Sequence, residues 1–210
     1  MNFISALIFL VILIFSAILH EIAHGVVAEK FGDTTARDAG RITLNPIPHI
    51  DPLFSIIIPL GLYLSGSPIL FGFAKPVPVN YYRLSNWRWG IFCVSIAGIV
   101  TNLFLAFAFS IPLHFANISP FAQGLCTLIV ELNISLAIIN MIPIPPIDGS
   151  KDLAALLGEN VLEKVVSIES KGIWGTLPFI ILIYILFLTP LFNNVMVPVF
   201  NFFFKIFGIA

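Results

Sequence analysis

Apolar residues in this chain come in long blocks separated by short polar intervals. No charged residue occurs from Phe3 to Leu19, and the block continues through His20, Glu21 and His24 to about residue 28. Crossing a hydrocarbon core takes roughly 20 apolar residues in a helix, so residues 3–28 predict a first transmembrane helix. The segment lacks the basic start and small-residue cleavage site of a secretory signal, and its apolar run is longer. A polar interval, Glu29 to Asp51, follows with Lys30, Asp33, Arg37, Asp38 and Arg41. Pro52 to Leu64 is apolar but short. Residues 71–80 read FGFAKPVPVN; the prolines forbid a regular helix, and the alternation of Val77 and Val79 favours extended backbone.

Residues 89–113 predict another span, containing Gly98 and Asn102, and residues 121–142 a further one that ends in Pro143-Ile144-Pro145-Pro146-Ile147-Asp148-Gly149. Ser150 to Lys171 is short and amphipathic. Trp174 to Leu188 predicts one more span, and Leu191 to Ala210 a last span or an interfacial helix. The pattern therefore predicts an all-α membrane protein: a polytopic helical bundle of about five to six spans, with a short re-entrant or strand-like segment near 71–80. No internal repeat or linker divides it, so residues 1–210 are expected to form a single membrane-embedded domain.

Composition agrees with that class. Hydrophobic residues make up 59% of the 210 and charged residues 10%, with a mean hydropathy of +1.03; soluble domains carry about 25% charged residues. A net charge of −1 gives no footing for nucleic acid. Cys93 and Cys126 both lie in apolar stretches, which implies neither a disulfide framework nor a cysteine metal site.

His20, Glu21 and His24 carry the chemistry. Two histidines four apart on a helix share one face, roughly 6 Å apart along the axis. That spacing lets two imidazoles bind one Zn2+ while the adjoining glutamate serves as general base toward water. Three ionisable groups in an apolar helix are costly without a function. A catalytic zinc takes three protein ligands and keeps a position open. Candidates for the third are His49, Asp51, His114, Glu131 and Asp148. Asp148 is preferred, because proline-fixed backbone at a helix end can hold a carboxylate still.

HEIAHG in the first span, AGIVTN at 97–102 and NMIPIPPIDG at 140–149 resemble the site-2 protease family of intramembrane zinc metallopeptidases. LNPIPHIDP (44–52) and GFAKPVPVN (72–80) are similar to its compact prokaryotic members. The resemblance implies one zinc per chain on His20, His24 and Asp148, with Glu21 as the catalytic glutamate. It implies that Asn140 holds substrate backbone or an oxyanion, and that Asn102 contributes there or in a supporting polar role. The proline usual after Ala-Gly is Ile99 here. His49 could add a ligand in a resting state, or His49 and Asp51 could instead tie down their loop; His114 reads as interfacial. Glu131, in mid-span, is expected to face the protein interior.

The activity implied is hydrolysis of peptide bonds in or near transmembrane segments of membrane-protein substrates, with the lipid bilayer as the other partner. An extended substrate could pair with the PVPV segment and present its carbonyl to zinc. A non-catalytic scaffold or chaperone would not need Glu21, and a metal transporter would spread ligands along a pathway. Lys30, Arg37, Arg41, Arg83, Arg88, Lys151, Lys164 and Lys171 fall on one face if residues 53–79 enter and return, and Lys205 is expected to come back to that face. By the positive-inside bias, this predicts a multi-pass protein of the cell membrane with its active site toward the cytoplasm.

Overall fold

The computed structural model describes residues 3–58, 61, 64, 74–115 and 118–209. Among them the chain is a helical bundle without strands. Helix α1 (Phe3–Lys30) is followed by one short turn of helix, α2 (Thr35–Asp38). The other helices are α3 (Trp87–Ser110), α4 (Pro120–Asn140), α5 (Asp148–Leu157), α6 (Glu159–Ser170), α7 (Ile173–Phe187) and α8 (Pro190–Ile206). Three stretches are long and apolar enough to cross a membrane: Leu7–Lys30, Trp87–His114 and Pro120–Asn140. A fourth arises if α6 and α7, which meet at 102°, count as one broken span. The bundle matches the predicted class at a lower span count than five to six, because α7 and α8 have only 15 and 17 residues. Most of the apolar stretch 52–73, including 71–73 of the expected re-entrant segment, lies outside the described residues.

Helix α3 is the centre. It packs against α1, α4 and α5, and its buried residues Gly90, Ile91, Val94, Ser95, Gly98, Asn102 and Ala106 recur at helical spacing. Small residues on that stripe let neighbouring backbones approach closely. The helix runs unbroken through Ile99, so the missing proline leaves no kink to account for. Asn86 caps α3 by accepting from the Trp89 N–H, and Ser119 caps α4 by accepting from Ala122, with Pro120 at the first helical position.

Two apolar clusters hold the bundle. One joins α1, α3, α5 and α6 through Ala28, Ile91, Val94, Ala154, Ala155 and Leu162. The other sets Ala106, Val130, Ile134 and Ile138 against the aromatic face of α8, including Phe200, Phe203, Phe204 and Phe207. That face fixes the direction of α8. Gly208 sits against the His114 ring, so the C-terminal end of α8, with Lys205, lies at the α3–α4 turn. Lys205 does not return to the basic face as the sequence suggested.

Glu131 also differs from expectation. Helix α4 turns Val130, Asn133, Ile134 and Ala137 inward, and Glu131, one residue or about 100° round from Val130, is exposed on the outer side.

Candidate metal centre

The site begins where α1 leaves its purely apolar run. His20 and His24 are 6% and 8% exposed, and their rings stand edge to face with centroids 4.6 Å apart. On α3, Gly98 makes room for the first: a Cβ there would run into the His20 ring. The turn after α4 brings Asp148 in from 128 residues along the chain, at the first position of α5. Gly149 allows that approach, since a Cβ there would collide with the Met141 backbone. Asp148 Oδ2 lies 3.1 Å from His20 Nε2 and 3.2 Å from His24 Nε2.

The outer nitrogens determine which tautomers these are. His24 Nδ1 is 2.6 Å from the Val94 carbonyl, which only accepts, so Nδ1 carries the proton. His20 Nδ1 is 2.6 Å from Asn102 Oδ1, and a chain of amides fixes the orientation there. Asn133 Nδ2 donates to the Ile129 carbonyl and to Ser16 Oγ. Asn133 Oδ1 therefore accepts from Asn102 Nδ2, at 2.9 Å, and Asn102 turns its oxygen to His20. With both rings neutral, the two Nε2 atoms present lone pairs to a carboxylate oxygen. Three acceptor atoms meeting at one point in that state suit a divalent cation. The ligand-type atoms of His20, Glu21 and His24 also lie within 4.8 Å of one another. The donor set fits zinc.

Asn102 is thus fully buried behind His20, facing the imidazole rather than open space. Asn133 was missed by sequence reasoning. Its only signal was an amide in the middle of an apolar span.

Around this point lies a cavity of about 400 Å3. It is lined by Ala74, Pro76, Val77, Val79 and Tyr81, by Asn140, Pro146 and Ile147, and by Ile173, Thr176 and Ile180 of α7. Asn140 donates to the Leu136 carbonyl of its own helix and borders the cavity. Glu21 is half-buried, and its Oε2 accepts the Val77 N–H at 2.7 Å. The segment 74–80 is neither helix nor paired strand. Lys75 N–H donates to the His49 carbonyl, its own carbonyl accepts from Arg41 Nη2, and Asn80 N–H donates to the buried Asp33.

His49 is 2% exposed. Its Nε2 donates to the Thr43 carbonyl, its Nδ1 has no partner, and it lies outside the cluster of ligand atoms. Asp51 borders the cavity. His114 is at the other end of the bundle, bonded to the Ser110 carbonyl.

Lys151, Glu169 and Tyr81 complete the polar rim. Burial pushes the Tyr81 phenol up to about 12. Burial, and next the Asp148 charge, push the Asp152 carboxyl up to about 7.

Known proteins are similar to this chain over most of its length. It is 39% identical over 198 residues to the Bacillus subtilis protein named "Putative zinc metalloprotease YwhC", an alignment covering 90% of this chain and 84% of that one. The chain belongs to this family of zinc metalloproteases. Two further members are each named "Putative zinc metalloprotease Rip2". The Mycolicibacterium smegmatis protein is 27% identical over 202 residues, covering 93% of this chain and 72% of its own length. The Mycobacterium tuberculosis protein is 26% identical over 181 residues, covering 85% and 66%. No family model matches the chain, and no solved structure does.

Proposed function

We propose that this family member is a zinc endopeptidase of the site-2 protease type, cutting peptide bonds in or beside transmembrane segments of membrane proteins. The observation that carries the reading is that Asp148 Oδ2 meets His20 Nε2 and His24 Nε2, which stand with Glu21 on an apolar helix long enough to span a bilayer. His20, His24 and Asp148 would hold the metal. Zinc, when bound, supplies Lewis acidity to the attacking water and to the scissile carbonyl.

The chain's own groups do the rest. Glu21 takes a proton from water as the new C–O bond forms, and passes it to the amide nitrogen as the C–N bond breaks. The Val77 N–H holds one carboxylate oxygen of Glu21, leaving the other for that proton. Asn140, which borders the cavity, would hold substrate backbone or an oxyanion.

Segment 74–80 gives substrate binding a particular chemistry. Pro76 and Pro78 have no N–H, and those of Lys75, Val77 and Asn80 are already bonded. A peptide laid along it meets carbonyls and, from residues 75–80, one free N–H, that of Val79. The peptide donates its N–H groups, and its own carbonyls stay open to the metal. A substrate helix must unwind first, since its carbonyls are otherwise internally bonded.

The metal-centre end bears Lys30, Arg37, Arg41, Lys75, Arg83, Arg88, Lys151, Lys164 and Lys171, and the opposite end bears Lys205. The positive-inside bias then puts the centre on the cytoplasmic side of the cell membrane. Glu21→Gln tests the activity. Mass spectrometry of membranes carrying wild-type or variant enzyme should show intact membrane-protein substrates accumulating only with the variant. Identical cleavage products in both would refute a peptidase role.

A further inference from the structure

Lys151 is 4% exposed, a burial that lysine seldom reaches unpaired. It stands one turn after Asp148 on α5, on the same face. Its Nζ lies 3.0 and 3.2 Å from the two carboxylate oxygens of Glu169 on α6. It also lies 3.6 Å from Asp148 Oδ1, an ion-pair distance. Asp148 is therefore divided: Oδ2 goes to the two imidazoles and Oδ1 to the ammonium.

We propose that Lys151 is a positioning residue that holds Asp148 to one-oxygen contact with the metal. The inference rests on the reading of Asp148 as a ligand. A carboxylate beside a divalent cation can offer one oxygen or both, and the second oxygen would occupy the position that water and the scissile carbonyl need. The ammonium competes for Oδ1 and keeps that position open. A bare ammonium so close would also repel the cation. Glu169 offsets that repulsion while fixing the lysine from the other side, which explains why the lysine is held by two carboxylates. Partners of this kind, one bond removed from the metal, commonly tune affinity and geometry.

The test uses the purified, detergent-solubilised protein loaded with cobalt(II), whose visible ligand-field bands are intense at four-coordinate sites and weak at higher coordination. Wild type should show intense bands. Lys151→Met should weaken and shift them, because Asp148 closes onto the metal with both oxygens. Lys151→Arg and Glu169→Gln should keep the wild-type pattern, the first because the charge remains, the second because Lys151 is left to Asp148 alone. Unchanged bands in a folded Lys151→Met variant would overturn the proposal. So would equal loss in Lys151→Met and Glu169→Gln, the mark of a plain α5–α6 staple. If Lys151→Met does not fold, altered bands in either of the other two variants overturn it. Asp148→Asn separates the two readings: if it leaves the bands unchanged, the ligand assignment fails, and if only it changes them, Lys151 alone fails.

Discussion

Asn133 shows how far a single residue's influence can reach without touching the metal. Its amide is held at one end by the Ile129 carbonyl and at the other orients Asn102, which in turn fixes the proton on His20 Nδ1. Replacing it by leucine removes the acceptor for Asn102 Nδ2. The Asn102 amide then either flips, placing N–H against N–H at His20, or stays with a buried donor unpaired at a cost of about 1–3 kcal/mol. Asn133→Leu should therefore weaken zinc binding by about 10–100-fold, read by competition with a chelator of known affinity. Unchanged affinity would mean that the amide chain only packs the bundle.

Among the elements, segment 74–80 is irregular backbone that borders the centre. Val77 is its only residue bonded to Glu21. Its flanking prolines already restrict residues 75 and 77 to extended conformations, so Val77→Pro removes one N–H with little change of path. Turnover should fall roughly tenfold or more, a fraction of what general-base catalysis contributes, while zinc content stays at the wild-type level. Full turnover would show that Glu21 needs no such anchor. The prolines made the absence of helix here legible in sequence, and long apolar runs did the same for α1, α3 and α4. The motif HEIAH marked His20, Glu21 and His24, whose spacing is local, and the proline turn marked Asp148, which the fold brings to the two imidazoles from 128 residues away. The amide chain, Lys151 and Glu169 were not legible, since they depend on which face of α4, α5 and α6 turns inward. Glu131 was misjudged for the same reason: an apolar span has no polar side to mark its orientation.

At the scale of the molecule, the centre joins distant parts of the chain that the apolar cluster of α1, α3, α5 and α6 also holds together. His20 and His24 come from α1, Asp148 from the start of α5, and α3 lies between with Gly98 and Val94 shaped to receive the rings. Metal content therefore reports on the whole arrangement as well as on the ligands. The direct measurement is zinc per chain in the purified protein, by elemental mass spectrometry, for wild type and four variants. Wild type and Glu21→Gln should each hold about one zinc per chain, whereas His20→Ala, His24→Ala and Asp148→Ala should each hold markedly less. Full zinc occupancy in Asp148→Ala, or none in wild type, would contradict the account.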